Sequence, residues 1–177
     1  MTRPTAAPLA AAAGAGAAAA LAGRALLVRA VTAKLRRDLR ALNAGDYGPL
    51  LDGYADHAVL TFNDGPHRWA GVHSGKPAIE RFLAEFVAAG IQGEILDVWM
   101  AGAPWAVRLA IRFDDRATTP EGERLYANRT VLVVRTRWGR IVQHDDFYED
   151  TGRILEFEQV LVERGRTPAT PAGAGAR

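Results

Sequence analysis

From Ile91 to Tyr148 the chain reads as four strand-like runs, each closed by a turn signal, and the second keeps a strict period of two. That periodicity constrains the fold more than any other feature. Ile91 to Met100 reads as a strand ended by Ala101-Gly102-Ala103-Pro104. Next, Trp105, Val107, Leu109, Ile111 and Phe113 alternate with Ala106, Arg108, Ala110 and Arg112. Successive side chains of a strand point to opposite faces, so this run has one strongly apolar face. Thr118-Thr119-Pro120-Glu121-Gly122 is a second turn, Leu125 to Arg135 a third strand, and Trp138-Gly139 a hairpin tip before a last strand from Arg140 to Tyr148. Short turns between strands predict an antiparallel meander.

Helical spacing governs the first half. Val28, Val31, Leu35, Leu39 and Leu42 form one stripe of a helix from about Arg24 to Asn43, ended by Ala44-Gly45. Arg29, Lys34, Arg36, Arg37 and Arg40 lie off the stripe and read as a solvated face. A short helix from about Tyr47 to Tyr54, a strand from Ala58 to Phe62 and a return strand from His67 to Val72 follow. Ser74, Gly75 and Pro77 open a third helix, with Ser74 as its cap and Ile79, Phe82, Leu83, Phe86 and Val87 as its buried stripe. Asp150 or Thr151 caps a final helix through Val162.

Helices first and a meander after predict an α+β fold. We expect a strongly curved antiparallel sheet packed on three N-terminal helices, a cone-shaped α+β barrel whose wide end is a pocket, with a short C-terminal helix. The expected organisation is an Ala-rich flexible tail at 1–23, one domain at 24–162 and a second flexible tail at 163–177. The 177 residues carry a net charge of +2, too small to argue for a nucleic-acid partner. Absence of cysteine excludes disulfides, thiolate metal sites and a cysteine nucleophile, and leaves the redox compartment open. No segment reads as a transmembrane span, and no membrane partner is expected. The expected location is cytoplasmic, with export through the Ala-rich N-terminus as the alternative.

The stretch Gly139-Arg140-Ile141-Val142-Gln143-His144-Asp145-Asp146-Phe147-Tyr148-Glu149-Asp150 carries the chemistry. Strand alternation sets Val142, His144, Asp146 and Tyr148 on one face. A face lining a cavity with these groups offers an acid/base residue, a partner that tunes it and a hydrogen-bond donor. His57, His67, His73 and His144 lack tight ligand spacing, so neither a metal nor another cofactor is implied.

Three segments resemble the SnoaL-like polyketide cyclases and, more broadly, the nuclear-transport-factor-2-like superfamily. They are Ala41-Leu42-Asn43-Ala44-Gly45-Asp46 with Tyr54-Ala55-Asp56-His57-Ala58, Trp69-Ala70-Gly71 with Gly75-Lys76-Pro77-Ala78-Ile79-Glu80-Arg81-Phe82, and the Gly139-to-Asp150 strand. The resemblance implies a small apolar ligand, a homodimer built across the outer sheet face and cofactor-free acid/base catalysis of the cyclase, isomerase, dehydratase or hydrolase type. Asp146 matches the cyclases' proton-abstracting aspartate, and His144 orients it or shares its proton. Resemblance to limonene-epoxide hydrolases implies instead that Arg112, Asp114 and Asp146 converge on one water, with Asn63 nearby. Steroid isomerase register puts Asp38, Phe62 and Val131 at the functional positions, which lack that mechanism's base and donors. Asn63, Trp69, Tyr126, Asn128 and Tyr148 are the candidate substrate-binding residues.

Plainer readings stand beside these. Asp146 and His144 can be a structural buried pair. Trp69 and Tyr126 can be core aromatics. Arg112 and Asp114 face outward if Val107, Leu109, Ile111 and Phe113 face in. A non-catalytic ligand-binding or dimerisation module would fill its interior with Trp69, Trp99 and Trp105.

Overall fold

The computed structural model describes residues 7–166, with side chains from Leu21 onward. It divides into two units, residues 1–35 and 36–177. The first contributes the N-terminal part of α1 (Ala7–Asn43); the second holds the rest of that helix and every other element. The helix starts at Ala7 rather than Arg24, because an alanine run is the strongest helix former available. The expected C-terminal tail lies largely outside the described residues.

The second unit runs α2 (Gly48–Asp52), β1 (Tyr54–Phe62), β2 (Gly71–Ser74), α3 (Lys76–Ala88), β3 (Gln92–Ala103), β4 (Ala106–Thr118), β5 (Arg124–Arg137), β6 (Arg140–Tyr148) and α4 (Thr151–Glu163). One curved, unclosed sheet has the order β2-β1-β6-β5-β4-β3. All neighbours are antiparallel except β1 and β6, which run parallel. The fold is therefore α+β as expected, with a mixed sheet.

Local chemistry explains the boundaries. Gly75, not Ser74, caps α3; its φ of 82° suits glycine, and no side chain bonds the cap. Asp150 caps α4, accepting from the backbone N–H groups of Gly152 and Arg153. Gly102 is obligatory in the β3–β4 turn: a Cβ there would sit 2.3 Å from the Ala106 carbonyl oxygen.

Register fixes which side chains share a face. One inner row is Val98, Ile111, Leu132 and Asp146; the next is Met100, Leu109, Val134 and His144; a third is Ile95, Phe113, Thr130 and Tyr148. An irregularity in the pairing between Ile95 and Asp97 keeps Ile95 and Val98 on the same face although they are three residues apart. Arg112 sits on the other face, in a row with Asp97, Val131 and Phe147.

The core is aromatic around α4. Phe157 stacks between Trp69, at 6.1 Å, and Tyr126, at 4.7 Å between ring centroids. Phe62 meets Phe82 of α3 at 5.5 Å. Arg68, in the loop between β1 and β2, reaches Glu158 of α4 through Nε at 2.8 Å and Nη2 at 3.1 Å, and Glu85 of α3 at 3.4 Å. Its side chain is buried, so breaking this two-pronged contact would strand a charge, at a cost of about 3–5 kcal/mol.

Candidate acid/base site

Three side chains from β1 and β6 form a line on the inner face. Tyr54 opens β1 and is fully buried. Its hydroxyl lies 2.5 Å from His144 Nδ1. On the other side of the imidazole, His144 Nε2 lies 2.8 Å from Asp146 Oδ1. Burial, and then the nearby Asp146 charge, push the Tyr54 phenol well above its ordinary pKa. It therefore stays protonated and donates. His144 Nδ1 is then the acceptor, which leaves Nε2, on the Asp146 side, as the ring N–H.

The His144–Asp146 contact is close but poorly directed. Both atoms are buried, and neither makes a hydrogen bond of good geometry. Each of the two atoms therefore keeps hydrogen-bonding capacity that this contact does not use.

A second carboxyl occupies the same face. Asp115 is buried on β4 and accepts a 3.0 Å hydrogen bond from the Tyr148 hydroxyl. Among the described residues no cation pairs with it. Burial pushes its pKa up to about 7; the Tyr148 bond opposes that shift, while the Asp146 and Asp114 charges add to it. Burial also raises the Tyr148 and Tyr126 phenols, helped in both by the Asp115 and Asp146 charges. The inner face therefore holds two carboxyls that sense each other and three phenols that keep their protons.

The sequence-selected residues divide clearly. His144, Asp146 and Tyr148 share the inner face as expected. Arg112 does not: it is exposed and lies 3.5 Å from Asp97 on the outer face. Asp114 shares that face, in a row with Glu94 and Arg129. Val107, Leu109, Ile111 and Phe113 take the inner positions, so the epoxide-hydrolase trio of Arg112, Asp114 and Asp146 is not assembled. Trp69 is core, stacked on Phe157, and Tyr126 stacks on the same ring. Asn128 donates to the Asp150 carbonyl and accepts from the Arg129 N–H, a structural use of both ends. Asn63 points its amide toward His67, at 3.4 Å, and its Oδ1 is buried without a partner. Trp99 and Trp105 are exposed, so they do not fill the interior. Among the described residues no cluster of His, Asp or Glu is arranged to hold a metal ion, and no helix is long and apolar enough to cross a membrane.

Sequence reading missed Tyr54 and Asp115. Asp115 follows Leu109, Ile111 and Phe113 at the same parity; extending that strand one step beyond Phe113 would have found it. Tyr54 was read as the end of a helix, whereas it is the first residue of β1.

A family profile described as SnoaL-like domain matches residues 35–144. The chain belongs to that family. No curated protein matches it. Among solved structures it is similar to Bal32a from a soil-derived mobile gene cassette, at 22% identity and a TM-score of 0.61, over 72% of this chain and 95% of that one. The epoxide hydrolase/cyclase-like enzyme SalBIII of pyran ring formation in salinomycin matches at 18% identity and 0.55, over 69% and 92%. A polyketide cyclase named for Xanthomonas campestris matches at 18% and 0.51, over 71% and 95%. At these identities the likeness establishes the fold, which hosts many chemistries.

Proposed function

We propose that this SnoaL-like domain is a cofactor-free acid/base enzyme acting on a small, largely apolar, oxygen-bearing molecule held against the inner face of the sheet. Asp146 is the base. It removes a proton from an acidic carbon, and the released electron pair moves through conjugation onto the substrate's oxygen. Asp115 holds a proton up to about neutral pH and donates toward that oxygen. Tyr54 fixes the His144 tautomer and His144 orients Asp146, so both are positioning residues. Tyr148 holds Asp115.

One observation carries the reading. The inner face places a His–carboxylate contact and a second, cation-free carboxyl within mutual electrostatic reach, both largely out of water. A purely structural carboxylate is normally paired with a cation or several N–H groups. Cyclisation, isomerisation and dehydration all use this acid/base logic, and the cyclase and epoxide hydrolase/cyclase-like names among the structural relatives agree with it.

Trp99, Val131 and Phe147 expose apolar surface on the outer face of the same sheet. That surface supports a homodimer through this face. A Phe147→Glu variant that remains dimeric in sedimentation would refute it.

The enzymatic reading is tested by a thermal-shift screen against steroids, anthraquinone-type polyketides, and terpene epoxides and diols, followed by turnover assays on the hits. A ligand that raises the melting temperature and is converted only while Asp146 is present supports the proposal. Unchanged turnover in Asp146→Asn refutes it. Binding without conversion of any hit favours a ligand-binding module, in which the His144–Asp146 pair is structural.

A further inference from the structure

We propose that the two hairpin tips at 101–108 and 135–140 form a peripheral docking surface for an anionic lipid bilayer. The test of this surface does not depend on the function of the acid/base site.

Composition is the first argument. Gly102 and Pro104 are ordinary turn residues, but the tip from Ala101 to Ala106 has no charged side chain, and its only side-chain hydrogen-bonding group is the indole N–H of Trp105. All of it but Ala103 is exposed. Trp105 is 55% and Trp138 76% exposed. Their rings lie 6.5 Å apart, and the Trp138 N–H donates to the Trp105 carbonyl at 2.9 Å, locking the two tips together.

Backbone geometry is the second. Trp138 has φ 49°, and among the described residues it is the non-glycine residue with positive φ. Gly139 follows at φ 78°. Two successive positive φ values suit Asn-Gly; a bulky tryptophan at the first is strained. Burial does not offset that strain, since the ring stands in solvent. The fold alone gives no reason for tryptophan here.

Charge is the third. Arg108, Arg135, Arg137 and Arg140 lie within the two tips, with no aspartate or glutamate between them in either segment. Arg108 and Arg135 are direct cross-strand partners, as are Arg137 and Arg140. Like charges placed opposite each other repel, and among the described residues Arg108, Arg135 and Arg137 have no acidic partner. An anionic surface would relieve all of these at once.

The apolar turn selects lipid over other polyanions. A nucleic acid rewards arginines and stacking indoles but gains nothing from an exposed Ala-Gly-Ala-Pro turn. A bilayer interface accepts indoles at headgroup depth, apolar loops at the acyl boundary and arginines on phosphates. Such a contact is peripheral and needs no spanning helix. It revises the expectation of no membrane partner, which weighed spanning segments alone.

The test is co-sedimentation of the full chain with phosphatidylcholine vesicles, with and without phosphatidylglycerol, while tryptophan emission is followed. Each arginine near an anionic surface strengthens binding about fivefold, so three should separate the two vesicle types by on the order of 100-fold. Binding should weaken with added salt, and emission should shift to the blue. Trp138→Asn should lose about tenfold or more in binding, because one of the two indoles is gone. The same variant should melt no lower than wild type, since Asn-Gly suits the turn. Arg137→Ala should bind less tightly and less salt-dependently. Absence of binding to phosphatidylglycerol vesicles overturns the proposal. So does undiminished binding by Trp138→Asn, an oligonucleotide that binds as tightly as the vesicles, or indoles already shielded from quencher by self-association without lipid.

Discussion

Asp114 and Asp115 are neighbours in the chain and opposites in the fold. Asp114 shares the outer face of the sheet with the charged side chains of Glu94 and Arg129. Asp115 points inward, is buried, and has one hydrogen-bond partner, Tyr148. One step along a strand separates a carboxyl on the outer face from an inner-face acid with a pKa of about 7. The same contrast separates Arg112, exposed beside Asp97, from His144 and Asp146, buried together. Charges on the outer face serve solubility and weak pairing; those on the inner face are few, desolvated and coupled.

Substitutions on the two faces should differ by orders of magnitude. The largest effect belongs to Asp146→Asn, which should lower turnover of a converted ligand by about 10²–10⁴-fold while leaving the denaturation midpoint close to wild type. Steady-state kinetics beside a denaturant curve checks both halves. Asp115→Asn comes next. The folded protein holds a proton on this carboxyl up to about pH 7, whereas the unfolded chain releases it near pH 4. The contribution of Asp115 to native stability should therefore be greatest at low pH, fall as pH rises between those values, and level off above. The variant removes that loss. It should be more stable than wild type at pH 8, by on the order of 4 kcal/mol at most, with little difference at pH 4. Denaturant midpoints at both pH values read it; a pH-independent difference would show that Asp115 titrates normally.

Tyr54→Phe is smaller. It leaves His144 Nδ1 buried without its donor, at a cost of about 1–3 kcal/mol. If His144 acts through its tautomer, nitrogen-15 NMR should show the ring proton redistributing between the two nitrogens, which a loss of packing alone would not do. Smallest is Arg112→Ala on the outer face, expected within about 0.5 kcal/mol of wild-type stability and without effect on turnover. A large loss of activity there would break the division between the faces.

Much of this was legible in the sequence. Period-two alternation gave the meander, and the parity of His144, Asp146 and Tyr148 put them on one face, because a strand's alternation is a local property. The apolar series from Val107 to Phe113 set Arg112 on the opposite face from it but left open which of the two faces is the inner one. Two things were not local. Tyr54 reaches His144 only because β1 pairs parallel with β6, and no short-range signal announces a contact between residues 90 positions apart. Asp115 was hidden by its neighbour: an Arg-Phe-Asp segment draws attention to Asp114, while burial depends on how far the strand continues. The start of α1 was misjudged for a different reason, as an alanine run signals helix propensity and low complexity equally well.

The most direct test of the central claim is a carbon-13 NMR titration of the aspartate carboxyls in the native protein and in Asp146→Asn. The account predicts one carboxyl, assigned to Asp115 by its loss in Asp115→Asn, with a midpoint near pH 7 that falls when the Asp146 charge is removed. If Asp115 instead titrates below about pH 5, or keeps its midpoint unchanged in Asp146→Asn, the inner face does not hold two coupled carboxyls and the acid/base reading fails.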